Sequence, residues 1–226
     1  MRILIVGGST DIGTSLAKTL KNKGNEVIVT YNKHKCEIQD IKCIHLDITN
    51  EDEIQEVITK YGHIDILVNM AAISLDNLFL DNTKEDFMKV LEVNLVGTFL
   101  TSKIYSKYND NGLIINIAST DGIDTYSEYS MLYSASKAGI INMSKSMALG
   151  TSNKVLCLCP NWIDSASTRN MDQDYLNSEL KRINQSRLIT IDEFCESFLK
   201  IINDYQSGDV VRIDIKGDRL WIGKVS

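Results

Sequence analysis

The chain has 226 residues, 43% of them hydrophobic, 24% charged and 7% aromatic. That balance suits one large domain that buries its own core without disulfides or metal, and it excludes a disordered or fibrous chain. A net charge of −6 leaves no broadly basic face and so speaks against nucleic acid as a partner.

Met1 and Arg2 lead directly into Ile3, Leu4, Ile5 and Val6. This reads as a strand and not as the apolar stretch of a signal segment. No apolar run approaches the roughly 18 residues of a membrane span, so a soluble, cytoplasmic protein without membrane contact is expected.

Further near-continuous aliphatic runs follow: EVIVTY from Glu26, CIHL from Cys43, DILVN from Asp65, LIINIA from Leu113, KVLCLCP from Lys154 and DVVRIDI from Asp209. Runs of this kind fit strands covered on both faces. Amphipathic stretches separate them, at 12–23, 51–61, 85–108, 133–149 and 192–205. In 85–108, Phe87, Leu91, Leu95 and Phe99 recur at helical spacing. Alternating strand and helix predicts an α/β fold in one domain, residues 1–226: a doubly wound, about seven-stranded parallel sheet with helices on both faces. The five cysteines are odd in number and lack a CxxC spacing, which argues against a disulfide framework and a zinc ribbon; no metal site is expected. Cys157 and Cys159, two apart in a strand run, are expected on one face as small buried hydrophobes.

The first strand runs into GGSTDIG, Gly7 to Gly13, and then a helix. Glycines in that position permit a tight turn and close approach of backbone to a pyrophosphate, which the helix N-terminus favours electrostatically. Gly7, Ser9, Thr10, Asp11, Ile12 and Gly13 are therefore candidate cofactor contacts. The residue reading the ribose 2′ position falls at the end of the second strand, at Tyr31, Asn32 and Lys33. No acid stands there, and Lys33, His34 and Lys35 are the densest basic cluster. By sign of charge this favours NADP(H) over NAD(H).

These features, with the motifs further along, make the sequence resemble the short-chain dehydrogenase/reductase family. The resemblance is to the small single-domain kind that includes the bacterial 3-oxoacyl-carrier-protein reductases, with a Rossmann-like fold. It covers essentially the whole chain. Asp47 and Ile48 resemble the family's adenine-contacting Asp-Val pair. Asn69, Met70, Ala71 and Ala72 stand where the family has Asn-Asn-Ala-Gly. Asn94 in NLVG, Ser119 in NIAST, and Tyr133 and Lys137 in YSASK resemble the catalytic set, and Pro160, Asn161, Ile163 and Ser165 the nicotinamide-side segment. A second Tyr-x-x-x-Lys, Tyr31 and Lys35, lies in a loop, where i and i+4 do not share a face.

The resemblance implies a hydride-transfer oxidoreductase for a small carbonyl or secondary alcohol. Tyr133 would be the general acid/base, Lys137 would lower its pKa and reach the nicotinamide ribose, Ser119 would orient the substrate oxygen, and Asn94 would hold a proton-relaying water. Residues 165–186 would form a lid, and dimers or tetramers of the chain are expected. Ser119 as a turn cap and Asn94 as a backbone tie are the structural alternatives. Asp11 and Asn161 replace family glycines, and Met70 and Ala72 an amide and a glycine. An alternative reading is accordingly a catalytically weak nucleotide-binding regulator or scaffold. Asp11 is expected to avoid a phosphate by turning away or by capping the helix.

Overall fold

The computed structural model describes residues 1–225. Strands β1 (Arg2–Val6), β2 (Glu26–Tyr31), β3 (Lys42–His45), β4 (Ile66–Asn69), β5 (Leu113–Ile117), β6 (Lys154–Pro160), β7 (Val210–Lys216) and β8 (Arg219–Lys224) form one sheet. Their order is β3-β2-β1-β4-β5-β6-β7-β8. The first seven are parallel, as the aliphatic runs predict, and β8 adds an antiparallel edge. Lys216 pairs with Arg219, so Gly217 and Asp218 are a two-residue hairpin loop, with Gly217 at φ 60°. Gly-Asp is a recognisable hairpin signal. Trp221 on β8 is half-buried, with the Lys216 ammonium 3.3 Å from its ring centroid.

The helices are α1 (Asp11–Asn22), α2 (Glu51–Lys60), α3 (Lys84–Leu91), α4 (Gly97–Tyr108), α5 (Met131–Gly150), α6 (Ala166–Arg169), α7 (Gln173–Arg182) and α8 (Ile191–Asp204). Strand alternation sends Ile3 and Ile5 to one side of the sheet, against Leu16, Leu20, Phe194, Phe198 and Ile201 of α1 and α8. Leu4 and Val6 go to the other, against Ile54, Ile58, Ile104 and Tyr105 of α2 and α4. Cys157 and Cys159 share a face, fully buried with Ala118 and Ile140.

The stretch 85–108 is not one regular helix. Between α3 and α4, Glu92–Val96 winds as a wider turn of the π type. Such a turn carries one extra residue and shifts which side chains face inward. Phe87 and Phe99, two of the residues in that apolar recurrence, are 39% and 45% exposed. Asn94, Thr98, Thr101, Ser102 and Tyr105 face the protein instead.

Helix α8 begins in a reciprocal cap. Thr190 Oγ1 accepts from Glu193 N at 3.1 Å, and a Glu193 carboxylate oxygen accepts from Thr190 N at 2.9 Å. Arg187 pairs with the same carboxylate, at 2.7 Å, and holds it well below the usual carboxylate range, at about 2. Thr190→Ala is expected to cost about 1 kcal/mol, the usual worth of an N-cap, read as a lower urea midpoint with an unchanged slope.

Candidate active site

A cleft of about 730 Å³ opens at the carboxyl ends of the central strands, where open α/β sheets place their ligands. Thr10, Ile12, Ser119, Tyr133, Lys137, Pro160, Ile163 and Ser165 line it.

The glycine turn after β1 fits a dinucleotide. Gly7 sits at φ +77°, and a Cβ there would lie 2.4 Å from Ala71; one on Gly13 would lie 2.5 Å from the backbone of Gly8. Only glycine allows that approach of turn, neighbouring strand end and helix start. Thr10, not Asp11, caps α1, its Oγ1 accepting from Gly13 N at 3.2 Å. Asp11 does turn aside. Its Oδ1 accepts from Ile12 N at 3.0 Å, while Oδ2 accepts from Ala166 N at 2.5 Å and from Arg169 at 3.0 Å. The carboxylate thus ties the turn to the start of α6.

Ser119 follows β5 and caps the short turn Thr120–Gly122, accepting from Asp121 N at 3.1 Å. Tyr133 and Lys137 lie one turn apart on α5. Lys137 Nζ donates to Ile117 O at 2.8 Å and sits 5.3 Å from the Tyr133 ring centroid. Both side chains therefore face the same cleft. Their electrostatics differ from the expected pull of Lys137 on the phenol. Burial pushes the Tyr133 phenol well up, Asp121 adds to this, and the Ser119 hydroxyl opposes it. Burial lowers the Lys137 ammonium to about 8, against opposing contributions from Cys157, Cys159 and Asp121. Asp121, on the same wall, is raised chiefly by burial.

Asn94 is fully buried in the wide turn. Its Oδ1 accepts from Ile73 N at 2.8 Å, and its Nδ2 donates to Ile73 O at 2.9 Å and Ser136 Oγ at 3.0 Å. Ser136 in turn donates to Tyr133 O at 2.7 Å. Asn94 thus braces both the irregular segment after β4 and the turn carrying Tyr133. Asn69, expected at the cofactor, points its amide into the core instead: Nδ2 donates to Ser102 and Asn116, and Oδ1 accepts from Thr101. Ile48 is buried against Gly97.

At the β2 end of the groove, Tyr31 meets His45 edge-on, with ring centroids 5.8 Å apart. Asn32 and Lys33 are exposed. Lys35, by contrast, is paired with Glu37 at 3.0 Å. Asp47 accepts from the Thr49 main chain and hydroxyl, and the main-chain bond leads in holding its carboxyl below the usual range. Segment 165–186 folds as α6 and α7 over the cleft mouth. Arg182 reaches Thr125 O at 2.9 Å, and Tyr175 packs edge-on to Tyr129.

Sequence reasoning missed the brace beneath the cleft floor. Asn161 Nδ2 donates to Asp214, its Oδ1 accepts from Thr120, and Arg212 joins Asp214 to Asp124. Asn161 is not at positive φ, so its side chain, not its backbone tolerance, explains it. Trp162 also lines the cleft; its place beside Pro160 and Asn161 was the only signal.

A family model described as short chain dehydrogenase matches residues 1–176. Among curated proteins, the chain is 34% identical over 227 residues to carbonyl reductase family member 4 of Xenopus laevis, covering 93% of this chain and 94% of that one. It is also 34% identical over 183 residues to the 3-oxoacyl-[acyl-carrier-protein] reductase of Thermotoga maritima, covering 75% and 74%. Among solved structures, a short chain dehydrogenase from Leptospira borgpetersenii with bound NAD+ superposes with a TM-score of 0.82 at 27% identity, over 94% of this chain and 91% of that one. The chain belongs to the short-chain dehydrogenase family of oxidoreductases.

Proposed function

We propose that this protein is an NADP(H)-preferring carbonyl reductase or alcohol dehydrogenase for a small molecule. The observation that carries the reading is that Ser119, Tyr133 and Lys137 face one cleft continuous with Thr10 and Ile12 of the glycine turn. Gly7, Ser9, Thr10, Ile12 and Gly13 would hold the pyrophosphate, Tyr31, Asn32, Asp47 and Ile48 the adenosine end, and Ala71, Pro160, Ile163 and Ser165 the nicotinamide end. The bound nicotinamide supplies hydride chemistry. Ser119 would aim the substrate oxygen, and Tyr133 would donate a proton to it in the direction of reduction. Lys137 would bind ribose hydroxyls. Asn94 would position Tyr133 through Ser136, beside any relay through water. The alternative of a weak nucleotide-binding scaffold rested first on Asp11, whose carboxylate is drawn toward Ala166 and Arg169.

The cleft walls include Met70, Ile73, Trp162, Met171 and Tyr175, with acids at Asp76, Asp121 and Asp172 and, among the described residues, Lys137 as the one basic lining residue. This favours a neutral carbonyl compound with apolar bulk over an anionic one, and it disfavours a strongly acidic acyl carrier. Phe87, Met88, Val96 and Phe99 are exposed along α3, the wide turn and α4, which supports self-association. A cytoplasmic setting suits this reading.

Cofactor choice tests the 2′-phosphate assignment. NADPH is expected to bind more tightly than NADH, and Lys33→Glu to narrow that preference by roughly tenfold, the worth of reversing one nearby surface charge. Calorimetric titration with both cofactors, and their oxidation by a panel of ketones and aldehydes, measure this. Equal affinities overturn the NADP preference, and no oxidation with any carbonyl overturns the reductase reading.

A further inference from the structure

The loop after β2 doubles back before β3. Ile38 and Ile41 form an isolated antiparallel bridge, and Asp40 between them sits at φ 59°. This tight return brings Cys36 and Cys43 together with their sulfurs 3.0 Å apart. Both are free thiols. A disulfide needs a separation of about 2.05 Å, so roughly 1 Å of movement joins them, within a loop already bent to that shape. Cys36 is buried, whereas Cys43 on β3 is half-buried, and both line a small recess with Lys35, Glu37, Ile38, Gln39 and Ile41. The other three cysteines are fully buried among apolar side chains.

We propose that Cys36 and Cys43 are a redox modification site, a dithiol that closes reversibly to a disulfide in exchange with an oxidised low-molecular-weight thiol such as glutathione disulfide. Cys43 is the attacking sulfur, because it is the more exposed. Burial first, and then the neighbouring sulfur, hold the Cys36 thiol up at about 12, which makes it the resolving partner. Cys43 thiolate attacks one sulfur of glutathione disulfide, forming a mixed disulfide and releasing one glutathione thiolate. Cys36 then attacks Cys43 Sγ, losing its proton to solvent, and the second glutathione leaves. Two protein thiols are oxidised and one small disulfide is reduced to two thiols. Close placement offsets the weak nucleophilicity of Cys36.

Disulfides in reducing compartments are typically transient and redox-sensing. This one would clip the segment carrying Asn32 and Lys33 to β3. The site rests on the two sulfurs alone and holds whether or not that segment reads a cofactor.

The test incubates the native full chain with glutathione disulfide, alkylates the remaining thiols, digests with trypsin and reads the peptides by mass spectrometry. Cleavage after Lys35, Lys42 and Lys60 separates peptides 36–42 and 43–60. The expected product is these two peptides joined, and parted again by dithiothreitol. Cys36→Ser is expected to stop at a glutathione adduct on Cys43. Lasting glutathione adducts, or both thiols free in the wild-type chain, overturn the site. An unmodified Cys43 in the Cys36→Ser variant overturns the assignment of the attacking sulfur.

Discussion

Tyr133→Phe is expected to lower kcat for carbonyl reduction by roughly a thousandfold, within the range for losing a positioned proton donor, while NADPH affinity changes by less than about threefold. The first figure corresponds to about 4 kcal/mol of transition-state stabilisation. Burial and then Asp121 push the phenol above its ordinary range, which favours the protonated form that donates to a substrate oxygen in reduction. Phenylalanine keeps the ring that packs beneath Lys137 Nζ, 5.3 Å from its centroid, and loses only the hydroxyl. Ser119→Ala removes a donor from the same wall and is expected to cost somewhat less, roughly a hundredfold. Steady-state rates with a turned-over ketone and a fluorescence titration of NADPH decide the matter. Near-normal kcat in Tyr133→Phe would remove the phenol from the mechanism. A matching loss of NADPH affinity would make it a binding residue instead.

The parallel part of the fold was legible because its strands are covered on both faces. EVIVTY and KVLCLCP coincide with β2 and β6 to the residue. The antiparallel β8 is not a run of that kind, because it is the sheet's edge: Leu220, Trp221 and Ile222 are only half-buried, with Leu220 and Ile222 packed against the core from its rim. The Gly217–Asp218 turn signal was there to be used. The helical period of 85–108 was legible as helix, but the wide turn within it was not. One wide turn at Asn94 rotates everything after it, and residue spacing carries no mark of an inserted residue. That Ser119, Tyr133 and Lys137 share one cleft was legible because their order along strand and helix fixes their side. The Asn161–Asp214–Arg212 brace joins residues that lie 53 and 2 positions apart. Arg212 and Asp214 share a strand face, but nothing local foretells that Asn161 meets them. Asp11 shows the same limit, since its partner Arg169 is 158 residues away.

Lys137→Met is expected to make the protein more stable at pH 7 even as it removes activity. Lys137 is 2% exposed, and burial lowers its pKa from 10.5 to about 8. Each unit is worth about 1.4 kcal/mol, so holding this ammonium inside costs about 3 kcal/mol at neutral pH. Methionine fills much of the same volume without charge, but it leaves Ile117 O without its donor, a loss of about 1–2 kcal/mol. The net gain is therefore about 1–2 kcal/mol, or roughly 2–8 °C in Tm for a chain of this size. The pH dependence has a definite sign. Between about pH 8 and 10.5 the unfolded lysine holds a proton that the folded one has released. Wild-type stability therefore rises across that window through this group, and the penalty is present in full only below it. The Met variant lacks that rise. Other groups titrate alike in both proteins and cancel in the difference. Urea midpoints of the two at pH 7 and pH 9.5 give the answer: the advantage of Lys137→Met should shrink at the higher pH. An advantage that stays constant would mean that Lys137 is not desolvated, and a less stable variant at pH 7 would mean that its bond to Ile117 outweighs its burial.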